Sequence, residues 1–262
     1  MKQVKSVYTI YYLFLTRNMK QKDIITIARS MTASSLLLAL TFLSTSAYSA
    51  TLQPFSLTYA VNYSIANGEM TLSLSESGEG QYTIESVTQA KGMAKLAIPN
   101  PVREKAVFDL REGTVRALSY HLDDGSESSN EDISITYNWD AMQAEIQSEK
   151  GSEKQALTAD TMDQLIMQAA AIANIQAGKE TFAYQQIKPG RSIQTYHYTK
   201  RGNEDIQGPD GIISTIKYER GRVDSDKSTF YWFAPELGYA PVRIERFKKG
   251  KSVFKGKLKT IH

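Results

Sequence analysis

The sequence predicts a mainly β protein: a strongly curved antiparallel sheet, a half-barrel or open barrel, with one principal α-helix packed against it. Three observations carry this. Apolar and polar residues alternate through most of the chain beyond residue 50, the period of a strand with one buried face. Turn residues such as Asn67-Gly68, Gly78 and Gly80 separate the alternating runs, and glycine reaches the positive φ that hairpins need. One stretch alone, residues 156–178, changes to a three-and-four spacing, the spacing of a helix face.

The N-terminus is set apart from the fold. From Met19 the chain has the layout of a secretory signal. Lys20, Lys22 and Arg29 form a positive start, LLLALTFL (residues 36–43) an apolar core, and TSAYSA (residues 45–50) a small-residue exit. The core is too short for a transmembrane helix, which needs roughly 20 apolar residues. Cleavage after Ser49 places Ala47 and Ser49 at the two small-residue positions, so residues 1–49 are a signal region and residues 50–262 a single β-rich domain. The apolar patch before Met19 is not required by a signal; an upstream start chosen in place of Met19 accounts for it, with an extra membrane anchor as the alternative. There is no cysteine, so the expected product carries neither a lipidated cysteine nor a disulfide. The expectation is a periplasmic protein, exported, not a lipoprotein and not membrane-spanning once cleaved.

Strands are expected first at residues 55–63, where Phe55, Leu57, Tyr59, Val61 and Tyr63 share a face. After Asn67-Gly68 come Met70, Leu72 and Leu74, then Tyr82, Ile84 and Val87. Further alternating runs cover residues 102–110, 114–122, 132–139 and 142–148, while DDGSESSNE (residues 123–131) is too polar to bury. In the helical stretch, Met162, Leu165, Ile166, Ala169, Ala170 and Ala173 form the apolar face. Asp160 and Asp163 suit its start and Gly178 its end. Strands resume at residues 181–187, 192–199, 212–220, 228–234, 240–247 and 252–261. A closed outer-membrane barrel is the rival architecture. It is rejected because Lys251, Lys255, Lys257 and Lys259 share one side of the last strand, and lysine at the bilayer midplane costs roughly 2–4 kcal/mol. Those lysines are expected to guard a solvated sheet edge.

The full chain has 31 Lys/Arg and 28 Asp/Glu. Removing residues 1–49 takes away six bases and one acid, leaving 25 against 27, a net charge of −2. A nucleic-acid partner therefore loses its support. Residues 50–165 hold 8 bases and 18 acids, residues 166–262 hold 17 and 9, and opposite charge favours pairing of the two halves.

No catalytic residue, metal ligand set or cofactor motif emerges. His121, His197 and His262 lack metal-ligand spacing. Asp123-Asp124 and Asp224-Ser225-Asp226 lack the oxygen spacing of a calcium loop and are taken as solvated turns. Gly250-Lys251-Ser252 ends like a phosphate loop, but Glu245 stands where its first glycine would be and a strand follows. There is no G-x-S-x-G elbow.

The stretch FYWFAPELGYAPVRIERFKKG (residues 230–250) holds six aromatic residues. Phe230 and Trp232 alternate with Tyr231 and Phe233, so both strand faces carry large rings. Packing is the plain expectation for these rings; the alternative is a ligand site formed by Trp232, Phe230, Tyr239 and Arg243, with Arg243 meeting a polar or anionic end. Trp232-Phe233-Ala234-Pro235 followed by Pro241-Val242-Arg243-Ile244 resembles the C-terminal part of the DUF3108 family of bacterial envelope proteins. Phe55-x-x-x-Tyr59, the helix near Asp160 and Gly256-x-Leu258 extend the resemblance over nearly all of residues 50–262. The resemblance implies an exported envelope protein without an assigned reaction. A sheet curled around a helix is also similar in architecture to the LolA/LolB-type lipoprotein carriers.

The expected function is non-enzymatic binding of an apolar or amphipathic envelope molecule, such as one with an acyl chain, inside the curved sheet. A scaffold or assembly factor that binds another envelope protein is the first alternative, marked by a sheet face filled with its own side chains. A cell-wall polysaccharide enzyme is the second, marked by carboxylates converging in a cleft beside aromatic rings.

Overall fold

Among the described residues, fifteen strands pair into one curved sheet that does not close. The computed structural model describes residues 51–64, 66–96, 98–126, 131–190 and 192–262; the signal region and both start positions considered above lie outside them. The strands are β1 Phe55–Tyr63, β2 Ala66–Gly78, β3 Gln81–Lys91, β4 Val102–Arg111, β5 Thr114–Asp123, β6 Ile133–Asn138, β7 Gln143–Ser148, β8 Gly151–Ala156 and β9 Thr161–Met162. Helix α1, Ile166–Gln176, follows, and then β10 Thr181–Gln186, β11 Gln194–Gln207, β12 Ile212–Gly221, β13 Lys227–Ala234, β14 Ala240–Lys248 and β15 Lys251–Ile261. The order across the sheet is β8-β7-β6-β5-β4-β3-β2-β1-β15-β14-β13-β12-β11-β10-β9. Each pair of adjacent strands is consecutive in sequence except β1–β15, while the consecutive strands β8 and β9 stand at the two edges. All pairs are antiparallel but β9–β10, which is parallel because α1 carries the chain from one to the other.

Leu57, Tyr59, Val61, Leu72, Leu74, Tyr82, Ile84, Phe108, Ile135 and Ile146 alternate inward and are buried. Tyr59 donates its hydroxyl to the Pro241 carbonyl within this core. Helix α1 packs against β4, β5 and β10. Every helix residue except Gln168, Asn174 and Gln176 is buried, so α1 fills the concave side on nearly all its faces instead of lying on it with one stripe. The alanine run makes this possible, because small side chains let strands approach the helix from several directions. Asn174 and the Lys179 carbonyl take hydrogen bonds with Tyr184 and Tyr218 of the sheet.

The helix is shorter than its periodicity suggests. Residues 156–162 supply the end of β8, a turn and β9, and the capping acid is Asp163, whose Oδ1 accepts from the N–H groups of Leu165 and Ile166. Asp160 is on the turn before β9. Gly178 ends the helix with φ 75°, as expected.

Two other expectations change. Asn67-Gly68 is not the first hairpin turn, since Asn67 and Gly68 already pair with Asn62 and Val61. A Cβ at Gly68 would lie 2.7 Å from the Gln89 carbonyl oxygen, so glycine serves close strand approach there. The lysines of β15 do not guard an edge, because β15 is flanked by β1 and β14. They lie on the outer face of a central strand, where Lys255 faces Glu245 at 3.6 Å and Lys259 pairs with Glu69. The true edges are β8 and β9.

The aromatic turn has a specific backbone. After Ala234, Pro235–Leu237 forms a single 3₁₀ turn, then Gly238 and Tyr239 both take left-handed φ, 63° and 62°. A Cβ at Gly238 would come within 2.7 Å of the Gln53 Cβ. Gly238→Ala is therefore expected to destabilise the protein by about 1–2 kcal/mol, the cost of left-handed backbone at a side-chain-bearing residue, read as a lower urea midpoint with unchanged slope.

Candidate functional site

The two edges of the sheet face each other across a seam, and a cleft lies there. Its volume is about 580 Å³, within the range of small-molecule sites, roughly 300–1,000 Å³. The β7–β8 hairpin forms one lip and residues 187–190, after β10, the other. Hydrogen bonds cross the seam, among them those from Gly190 N–H to Glu153 Oε1 at 2.7 Å and from Gln155 Nε2 to the Lys188 carbonyl at 3.4 Å. Leu122, Ile133, Ile135 and Ile187 supply apolar wall.

The floor is polar. It is built where β9 runs into α1 and where β10 ends. Asp163 is 1% exposed and Gln186 3%. The Asp163 carboxyl accepts two backbone N–H groups through Oδ1, each at 2.9 Å, and the Tyr137 hydroxyl through Oδ2 at 3.2 Å. Beside it, Glu104 accepts from Tyr120 at 2.9 Å and from Gln164 Nε2 at 2.6 Å. Burial raises the Asp163 pKa from 3.8 to about 7, against the pull of these hydrogen bonds. Burial also lifts the Tyr120 hydroxyl far above its ordinary range, helped by the charges of Glu104 and Asp163. The cleft thus contains a carboxyl that exchanges its proton near neutrality. A general acid has that property, yet Asp163 already caps a helix and binds Tyr137, and Glu104 is bound to Tyr120 and Gln164. Both acids are engaged in holding the floor together.

At the rim, Asp132 lies close to Asp123 and Asp124, with one carboxylate oxygen of each within 4.8 Å of the others. Sequence alone paired only the first two. Their oxygens also accept local backbone N–H groups, those of Asp124, Gly125, Ser126 and Glu131, so the cluster has a structural role as a loop brace. The histidines are spread over β5, β11 and the chain end, with His121 bonded to Ser134 and His262 to Thr58.

The residues singled out from sequence occupy a different place. Phe230, Trp232 and Arg243 share the outer face of the sheet, opposite Tyr231 and Phe233. Lys217, Trp232 and Arg243 are direct cross-strand partners. Lys217 Nζ is 4.6 Å and Arg243 Cζ 4.4 Å from the Trp232 ring centre. Glu204 and Glu245 complete the patch through Lys217 at 3.0 Å and Arg243 at 2.7 Å. Trp232 is 2% exposed under these side chains. Phe230 packs edge-on against Phe247. Tyr239 is in the turn, its N–H bonded to the Ala234 carbonyl, and packs against the core. None of the four lines the seam cleft. The cleft residues escaped sequence reasoning because two distant segments meet there. A weak signal existed in Met162-Asp163-Gln164-Leu165, where an acid interrupts an apolar face.

A family model described as "Protein of unknown function (DUF3108)" matches residues 54–258, and the chain belongs to that family. No curated protein matches it. Among solved structures, the chain is similar to a crystal structure of a β-barrel-like protein of the domain of unknown function DUF1849 from Brucella abortus. The TM-score is 0.53 at 10% identity, covering 80% of this chain and 97% of that one. At that identity the likeness concerns the fold alone.

Proposed function

For this member of the DUF3108 family, we propose a non-enzymatic binding role in the cell envelope, with an amphipathic molecule taken into the seam cleft. The observation that carries the reading is the cleft itself: an apolar wall and a buried polar floor, open at the one place where the sheet leaves its edges unpaired. The signal-like N-terminus supports action in the periplasm. The concave side is filled by α1 and the inward side chains, so a bound chain would occupy the seam and not the centre of the half-barrel. Each buried methylene adds about 0.8 kcal/mol, enough for the walls to hold a short alkyl segment while the floor meets the polar end.

Protein purified without detergent and sprayed under native conditions should carry an extractable mass of amphipathic character. It should also bind the neutral fluorescent probe N-phenyl-1-naphthylamine. Ile187→Trp, which fills the cleft, should weaken probe binding about tenfold or more without lowering the melting temperature by more than a few degrees. Probe binding unaffected by this variant would remove the cleft from consideration.

The filled concave side favours a second reading, a scaffold that docks another envelope protein. It would stand if the purified protein is unliganded, ignores the probe and elutes with a protein partner from the periplasmic fraction.

A further inference from the structure

We infer that the concave face of the sheet binds a phosphate monoester at its open end, between the guanidinium groups of Arg220 and Arg246. The site is separate from the seam cleft, whose walls include neither residue, and the inference does not rest on the binding role proposed above.

Strand register builds the site. Tyr63 of β1 pairs with Phe254 of β15, Phe254 with Arg246 of β14, Arg246 with Thr229 of β13, Thr229 with Arg220 of β12, and Arg220 with Tyr198 of β11. Directly opposed residues share a face of the sheet, and Tyr198 belongs to the buried core, so the whole row points inward. At this end of the strands the concave face opens to solvent: Tyr63 is 59% exposed, and Arg246 is exposed as well. The short Thr229 side chain separates two long ones whose Cα atoms stand about 10 Å apart, two strand spacings. Both arginines rest on rings. Arg220 Cζ lies 5.1 Å from the Tyr196 ring centre and 5.6 Å from that of Tyr231, and Arg246 Cζ lies 5.8 Å from that of Phe254. Stacking uses the face of a guanidinium and leaves its edge of N–H donors for an acceptor.

What the site lacks is negative charge. Among the described residues no carboxylate pairs with Arg220 or Arg246, whereas Arg222 on the same side has Asp224 at 3.5 Å. Arg220 is the sharper case. Its Nε is sealed from solvent and has no hydrogen-bond partner among the described residues, and the polar groups around it are those of Tyr196, Tyr198 and Tyr231. An unpaired buried donor is costly, more so on a charged group, and inward charges are ordinarily paired. A phosphate monoester supplies both missing parts. It offers acceptor oxygens that match the guanidinium fork, and it carries a charge of about −1.5 to −2 at pH 7 against two uncompensated cations. A carboxylate neutralises only one of them. The long stem of Arg220 lets its Nε–Nη edge turn into the groove beside Thr229, and the rings at either end of the row receive the apolar part of the ester.

Isothermal titration of the full-length folded protein at neutral pH in low salt tests the inference, with phenyl phosphate, benzoate, inorganic phosphate and dodecyl phosphate below its micellar concentration. Phenyl phosphate should bind at least tenfold more tightly than benzoate and raise the melting temperature. Arg246→Gln, at an exposed position, avoids any folding question and should weaken phenyl phosphate about fivefold or more. Arg220→Lys keeps the charge but loses the fork and should weaken it about threefold or more. Ile187→Trp, which fills the seam cleft, should leave it unchanged. Dodecyl phosphate binding tenfold or more above inorganic phosphate, with both weakened by Arg246→Gln, would support the site and assign it a lipid-like ester; equal binding of the two, again weakened, would support it with a soluble phosphate as the ligand. Benzoate binding as tightly as phenyl phosphate would overturn the choice of phosphate. Phenyl phosphate that fails to bind, is indifferent to both arginine variants, or is lost in Ile187→Trp would overturn the site, while the fate of the neutral probe in the seam cleft is read separately.

Discussion

Trp232→Ala is expected to cost about 3–5 kcal/mol of folding stability, the range for truncating a fully buried large aromatic residue. The ring is 2% exposed although it lies on the outer face of the sheet. Its cover consists of charged side chains: the stems and cationic heads of Lys217 and Arg243 close over its two sides, and Glu204 and Glu245 hold those heads in place. Removing the indole leaves two cations facing a void that had been filled by the face of a ring, so loss of cation–π attraction adds to loss of packing. Urea unfolding followed by far-UV circular dichroism measures the effect. Trp232→Phe keeps a ring between the cations and should retain more than half of the lost stability. A loss below about 1 kcal/mol in the alanine variant would mean that the ring is not core and would return it to the candidates for ligand contact.

Asp163→Asn should change how stability depends on pH. The folded carboxyl holds its proton up to about pH 7, chiefly because burial penalises the ionised form, whereas the unsupported value is 3.8. Below the lower value both states are protonated. Between the two, the unfolded chain releases its proton and the folded chain keeps it, so stability falls as pH rises, by up to about 1.4 kcal/mol per unit. Above pH 7 both states are ionised and the loss is complete. Asparagine does not titrate, but it can keep the oxygen that caps α1. The difference in unfolding free energy, wild type minus Asp163→Asn, should therefore drop by about 4 kcal/mol between pH 4 and pH 8. Tyr137, Glu104 and Tyr120 surround the group from β6, β4 and β5, and the variant leaves all three in place. A difference that is flat with pH, or that rises, would show that hydrogen bonds from Tyr137 and the helix N-terminus outweigh burial.

Most strands were legible because each buries one face, which forces the period-two pattern seen at Leu57, Tyr59 and Val61. The pattern fades where burial does. Strand β8, GSEKQA, is an edge with no buried residue, so nothing in its composition marks it. Strand β11 continues through KRGNEDIQ, whose side chains are mostly solvated and whose backbone pairing with β12 survives a bulge near Gly202. The aromatic turn was visible as a cluster, but its meaning was not. Tyr231 and Phe233 are ordinary core, whereas Trp232 is sealed by charges brought from β12 and β14. The seam was hidden for a different reason: its lips come from residues 148–153 and 186–190, and only the order of strands across the sheet brings them together.

The joint between β1 and β15 has a consequence for how the chain folds. Every other strand pairs with a neighbour in sequence, yet Thr58 meets His262 across a separation of 204 residues. Two locally connected arms can form with little loop-closure entropy, while the pairing at the middle of the sheet must wait for both ends of the chain. A circular permutant that links residue 262 to residue 52 through a short loop and opens the chain between residues 157 and 160 would turn this distant pair into a hairpin. It should refold faster than the parent at similar stability.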